Sequence, residues 1–123
     1  MEIFKQFQFE AAHRLPNVPP EHKCFRLHGH SFRCEIHVSG NIDPRLGWIV
    51  DFADVKVAFA PIMEVLDHQY LNEVEGLSNP TSENLARWIW HRLHGTLSGL
   101  SAVVVYETCT SGCVYRGEND CPE

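Results

Sequence analysis

Eight histidines in 123 residues are the feature of this sequence that bears most directly on chemistry. Three of them are spaced to act together. His28-Gly29-His30 puts two imidazoles at i and i+2, which point to the same side of an extended chain. His13 stands at the far end of the stretch Arg14 to Leu27, which has no clear periodicity. Pairing of the flanking segments as a hairpin would return His13 to the side of His28 and His30. Three imidazoles converging from two strands form a facial tripod that suits Zn²⁺ and leaves a fourth position open. Histidines that merely hydrogen-bond the loop backbone are the plainer reading of a lone His-x-His, and the third histidine tips the balance toward a metal. Main-chain carbonyls or carboxylates should then orient the rings from behind.

Cys24 lies in the same stretch, between Lys23 and Arg26. Nearby cations and a metal favour the thiolate, which is the form that acts as base, nucleophile or ligand. Two roles fit the spacing equally: a fourth ligand closing a structural Cys-His₃ site, or a thiol beside an open metal position. Asp67-His68 offers a carboxylate and an imidazole in sequence. Neighbours do not face each other on a helix, so the pair could exchange protons only from an irregular helix end. A histidine stabilised by the helix dipole is the simpler reading there. Glu107 ends an apolar run, where it is either a solvated strand end or an acceptor for a planar N–H/NH₂ edge.

The elements that must position these groups follow from the hydrophobic pattern. Ile3 to Ala12 reads as a strand with Phe7 and Phe9 on one side. Ser31 to Ser39 alternates Phe32, Cys34, Ile36 and Val38 with polar residues, which is a half-buried strand and places Cys34 in the core. Asp51 is placed to cap a helix carrying Phe52, Val55, Phe59, Ile62 and Leu66, with Pro61 expected to kink or divide it. Asn79-Pro80-Thr81-Ser82-Glu83 starts a second helix with the stripe Leu85, Trp88, Ile89 and Leu93. Leu100 to Glu107 and Cys113 to Arg116 read as two further strands joined by a turn. Strand, strand, helix, helix, strand, strand with hairpin connections makes an α+β sandwich.

Composition narrows the function classes. A chain of 123 residues with 44% hydrophobic and 21% charged residues is one globular domain, here residues 1–118 with a polar tail at 119–123. A formal charge of −6 argues against general binding to nucleic acid phosphates. No apolar run reaches membrane-spanning length, and the start of the chain lacks a signal-peptide pattern, so a cytoplasmic protein is expected. Five cysteines without an export signal argue against a disulfide framework; Cys109, Cys113 and Cys121 show no evident role.

Taken together, the motifs resemble those of a known family. They are Phe9-Glu10-Ala11-Ala12-His13-Arg14-Leu15, Cys24-x-x-x-His28-Gly29-His30-Ser31, Gly47-Trp48-Ile49-Val50-Asp51-Phe52, Leu66-Asp67-His68, Asn79-Pro80-Thr81-Ser82-Glu83 and Glu107-Thr108. In order and spacing, from Phe4 to Glu118, they resemble the 6-pyruvoyltetrahydropterin synthase family. The short gap between Cys24 and His28 is most similar to its bacterial branch, the 6-carboxytetrahydropterin synthases of queuosine biosynthesis. The resemblance implies a tunnelling fold, with a four-stranded antiparallel sheet and two helices on one face. It implies a homohexamer, a dimer of trimers, with active sites at subunit interfaces. By the same resemblance, His13, His28 and His30 would bind Zn²⁺, while Cys24, Asp67 and His68 would be catalytic. Glu107 would anchor the pterin's amino edge, with Thr81, Ser82 and Glu83 in the pocket. The implied reaction is a lyase step on a small molecule. It converts 7,8-dihydroneopterin triphosphate to 6-carboxy-5,6,7,8-tetrahydropterin, acetaldehyde and triphosphate, with no nicotinamide or flavin. Lys23, Arg14 and Arg26 are candidate cations for the triphosphate. Two alternatives remain: 6-pyruvoyltetrahydropterin synthase activity, and a zinc-stabilised binding module without catalysis.

Overall fold

The computed structural model describes residues 1–118; the tail expected at 119–123, with Cys121, lies outside the described residues. Two long strands, β1 (Glu2–His13) and β2 (His28–Ser39), pair antiparallel along their whole length. Helix α1 (Phe52–Leu66) follows, then a two-residue strand β3 (Gln69–Tyr70), helix α2 (Ser82–Leu93), and the hairpin β4 (Leu100–Tyr106) and β5 (Gly112–Tyr115). The sheet order is β3-β1-β2-β4-β5.

Alternation sets which face is buried. On β2 the even residues Phe32, Cys34, Ile36 and Val38 are buried, and on β1 the odd residues Phe9, Ala11 and His13 are buried. Val103 and Val105 of β4 join them, and both helices cover this one face with Val55, Phe59, Ile62, Leu85 and Ile89. Phe7 stacks on Phe59 of α1 at 4.1 Å between ring centroids. Burial raises the Cys34 thiol far above its ordinary pKa, with Glu35 and Cys113 adding to the effect, so Cys34 is a packing residue.

The expected caps are present. Asp51 accepts a hydrogen bond from the Ala53 N–H, and Thr81 accepts one from the Asn84 N–H. Two expectations need correction. The four-stranded sheet gains a fifth strand, β3, which pairs parallel to β1 at Ala11 and Ala12. Two residues are too few for alternation to show. Helix α1 also continues through Pro61 rather than dividing there. Pro61 lies on the solvent side, and Val57, whose carbonyl loses its partner, is 72% exposed, so water can take that bond. Among the described residues, no helix is long and apolar enough to cross a membrane.

Candidate metal centre and active site

The core face of the hairpin leads directly into the histidines. In the β1–β2 register His13 lies opposite His28 and Ala11 opposite His30, so the ladder closes the Arg14–Leu27 loop and gathers all three rings. Each ring continues the buried side of its strand, and the rings of His13 and His30 meet Phe32 edge-on at 5.4 and 5.5 Å. The ring centroids of His13 and His28 are 4.6 Å apart, and those of His28 and His30 are 4.8 Å apart.

Two rings are oriented from behind by main-chain carbonyls. His13 Nδ1 lies 2.8 Å from the Pro80 carbonyl, and His28 Nδ1 lies 2.7 Å from that of Arg26. A carbonyl oxygen only accepts, so each Nδ1 carries the proton and each Nε2 presents a lone pair. For His13 this has a consequence, because its Nε2 is fully buried and makes no hydrogen bond. The atom it faces is Glu107 Oε1 at 3.2 Å, a second acceptor, and His30 Nε2 is 3.4 Å from the same oxygen. A lone pair and a carboxylate packed this closely are relieved by a proton on the nitrogen or by a cation shared among the rings. Ligand atoms of His13, His28, His30 and Glu107 all lie within 4.8 Å of one another. Tetrahedral zinc with bonds of about 2.0–2.1 Å needs ligand atoms about 3.4 Å apart, so this donor set fits such an ion.

At His30 the electrostatics favour the neutral ring. Burial lowers the His30 pKa, and the neighbouring rings of His13 and His28 lower it further, against the pull of Glu107. The Glu107 carboxyl is held below its usual range by the His13 ring first, then by His30 and Ser82, which together outweigh the effect of burial.

Cys24 sits in a single 3₁₀ turn, Lys23–Phe25, and is half-buried. It lines a cleft of about 460 Å³ with Lys23, His28, His30 and Glu107. It is not one of the converging metal donors; Glu107 is. Of the three residues expected around Glu107, Ser82 reaches it, donating its hydroxyl to Oε2 at 3.4 Å, while Thr81 caps α2 and Glu83 is exposed. Asp67 and His68 do form the irregular end their pairing requires. Asp67 ends α1 in an extended conformation and His68 is left-handed, with φ 59°. Asp67 Oδ2 lies 3.0 Å from His68 Nδ1, while Oδ1 accepts the Glu10 N–H at 2.9 Å. Those contacts, led by the Glu10 N–H, hold the Asp67 carboxyl below its ordinary pKa. His68 is 78% exposed and opens on a different cleft from Cys24, the two clefts meeting at Gly29 and His30.

The family model described as 6-pyruvoyl tetrahydropterin synthase matches residues 2–118. The chain belongs to the 6-pyruvoyl tetrahydropterin synthase family. Its fold is that family's tunnelling fold, and the family's members are metalloenzymes, in keeping with the His13/His28/His30/Glu107 cluster. The chain is similar to the 6-carboxy-5,6,7,8-tetrahydropterin synthase of Synechocystis sp., 44% identical over 119 residues that cover 92% of this chain and 91% of that one. It is 34% identical to the Homo sapiens 6-pyruvoyl tetrahydrobiopterin synthase over 133 residues, covering 95% and 92% of the two chains. Among solved structures, the Caenorhabditis elegans 6-pyruvoyl tetrahydropterin synthase superposes with a TM-score of 0.88 at 28% identity, covering 95% of each chain.

Several groups at the site carried no signal in the sequence. The carbonyls of Pro80 and Arg26 orient the rings as backbone, which any residue could supply. Asn72 holds the main chain of Arg14, and nothing in a lone Asn marks that contact.

Proposed function

We propose that this protein converts 7,8-dihydroneopterin triphosphate to 6-carboxy-5,6,7,8-tetrahydropterin, acetaldehyde and triphosphate, as a zinc enzyme of queuosine (7-deazapurine) biosynthesis in the cytoplasm. The observation that carries this reading is the geometry of the three imidazoles, which converge with a half-buried thiol beside them and outside the donor set. The high identity to the Synechocystis enzyme supports the 6-carboxy product.

His13, His28 and His30 would hold Zn²⁺, which as a Lewis acid would acidify the side-chain hydroxyls and stabilise developing oxyanion charge. Cys24, as thiolate, would take a proton on one side of the substrate side chain. His68 would move a proton on the other side through Nε2, since Asp67 engages its Nδ1. Glu107 would accept the pterin's amino edge, turning from the imidazoles to do so, with Ser82 at its second oxygen and Thr81 and Glu83 near the pocket. Reduction of the pterin ring is balanced by oxidation of its side chain, so no external electron carrier is required, and one water is consumed to supply the third oxygen shared by the carboxylate and acetaldehyde.

A homohexamer, a dimer of trimers with active sites at subunit interfaces, accounts for two further features. Cys24 and His68 of one chain open on different clefts. Among the described residues, the outer edge of β5 and the Glu2–Gln8 edge of β1 have no strand partner, which leaves both sheet edges to a second copy.

The test is to incubate zinc-loaded protein with 7,8-dihydroneopterin triphosphate, trap acetaldehyde and identify the pterin by mass spectrometry. A 6-carboxy product with stoichiometric acetaldehyde is expected. A 6-pyruvoyl product without acetaldehyde would move the protein to the sister activity, and absence of turnover would reject the enzymatic reading.

A further inference from the structure

Arg14 follows the metal-site residue His13, yet its guanidinium faces the Cys24 turn. Its Nε donates to the Phe25 carbonyl at 3.1 Å, and its Cζ lies over the Phe25 ring, 4.5 Å from the centroid. The next residue, Leu15, donates its N–H to the Cys24 carbonyl at 2.8 Å. Asn72, just past β3, grips the Arg14 main chain from the other side. Its Oδ1 accepts the Arg14 N–H at 2.9 Å and its Nδ2 donates to the Arg14 carbonyl at 2.8 Å. One amide thus replaces the strand partner that β1 loses where β3 ends, and it ties the His68 segment to the residue that holds the Cys24 turn.

We propose that Arg14 and Asn72 are positioning residues that set where the Cys24 thiol stands relative to the three imidazoles, and that the reaction depends on the shape of the Arg14 side chain beyond its charge. The physical case is that Nε and the main chain of Arg14 are both held in place. The guanidinium is committed to Phe25 through a hydrogen bond and a cation–π contact. The main chain is committed to Asn72, so the side chain spans a fixed path from the His13 strand to the Cys24 turn. Lysine would keep the charge and lose both the Nε–H donor and the planar stack. Aspartate at position 72 would keep the acceptor and turn the donor into an acceptor facing a carbonyl. The proposal rests on the catalytic role given to Cys24 above.

The experiment compares Arg14→Lys and Asn72→Asp with the parent protein in kcat, KM, bound zinc and rate of Cys24 alkylation by iodoacetamide. Alkylation is followed at the Cys24 peptide by mass spectrometry from neutral to alkaline pH, with the exposed Cys109 as internal reference. Both variants are expected to lose about 10–100-fold in kcat with KM within about twofold, as misplacement of a reacting group does. Zinc should stay bound, and Cys24 alkylation should speed up by at least about threefold as the turn opens, with Cys109 unaltered. Parent-like kcat in Arg14→Lys would overturn the proposal, because charge alone would then suffice. A raised KM with unchanged kcat would make Arg14 a substrate contact, and equal acceleration at Cys24 and Cys109 would reduce the effect to general loosening. If Asn72→Asp does not fold, Arg14→Lys decides alone. If the parent does not turn over the pterin triphosphate, the proposed function fails while the alkylation comparison still tests the positioning.

Discussion

The β1–β2 ladder carries histidines on both faces, and the two sets have opposite surroundings. On the core face, at the loop end, His13, His28 and His30 converge, and the Nδ1 atoms of His13 and His28 each meet a main-chain carbonyl. On the opposite face, toward the other end, His37 stacks on Phe4 and meets a carboxylate at each nitrogen, Glu2 at 3.0 Å and Glu35 at 2.9 Å. His37 has two carboxylates to itself, one at each nitrogen. His13 and His30 instead share one Glu107 oxygen at their Nε2 atoms, with His28 beside them, so three rings converge on a single carboxylate. What separates the candidate metal site from the ion-paired histidine here is three rings converging on one carboxylate, against two carboxylates serving one ring.

The largest expected break in that contrast is His28→Ala. Loss of a direct ligand should cost more than about a hundredfold in zinc affinity, since orienting partners alone are worth about 10–100-fold, and turnover should vanish with the metal. Zinc titration against a chelator measures it, and affinity within a few-fold of the parent would remove His28 from the site. Next is Glu107→Gln, which keeps the side chain's shape and removes its charge. A charged hydrogen bond is worth about 1.5–3 kcal/mol, so KM for the pterin should rise about tenfold or more while three imidazoles still hold zinc. Unchanged pterin affinity would take Glu107 out of substrate recognition.

Acid should separate the two clusters as well. The His30 pKa is lowered, first by burial, so its ring stays neutral and able to bind metal below the ordinary value of 6.5. The midpoint of zinc release on acidification should therefore fall below 6.5, and release above it would contradict neutral, crowded rings. The smallest effect is expected from His37→Gln. Glu2 is held below its ordinary pKa by Ser101 and then His37, while Glu35 is held low by His37, Gln6 and Tyr106 against the effect of burial. Lowered folded values mean that this stabilisation is present above the ordinary value of 4.5 and is lost as pH falls through the folded values. The parent should thus lose melting temperature more steeply below 4.5 than His37→Gln does, with a difference at neutral pH of less than about 1 kcal/mol. A zinc defect in His37→Gln would break the contrast between the faces.

Much of this architecture can be read from residue order because its signals are local. Alternation in Phe32 to Val38 fixes which face of β2 is buried, and that phase carries back to His30 and His28. Asp51 and Thr81 announce helix starts through side-chain chemistry that acts within three residues. The hidden parts depend on backbone atoms or distant pairing. The carbonyls of Pro80 and Arg26 have no residue signature, and β3 is two residues long. Lys23 and Arg14 look alike as charges in sequence, yet Lys23 lines the cleft and Arg14 turns to Phe25. The approach of Glu107 to the imidazoles depends on β4 pairing with β2, which no short motif records.

The central claim is that the metal is held by imidazoles while the thiol stands free beside it, and Cys24→Ala tests this most directly. Bound zinc, melting temperature and turnover would be measured on the same preparation. The account predicts parent-like zinc content and melting temperature with turnover abolished. Loss of zinc together with a collapse in melting temperature would show that Cys24 closes the site as a structural ligand, and would contradict it.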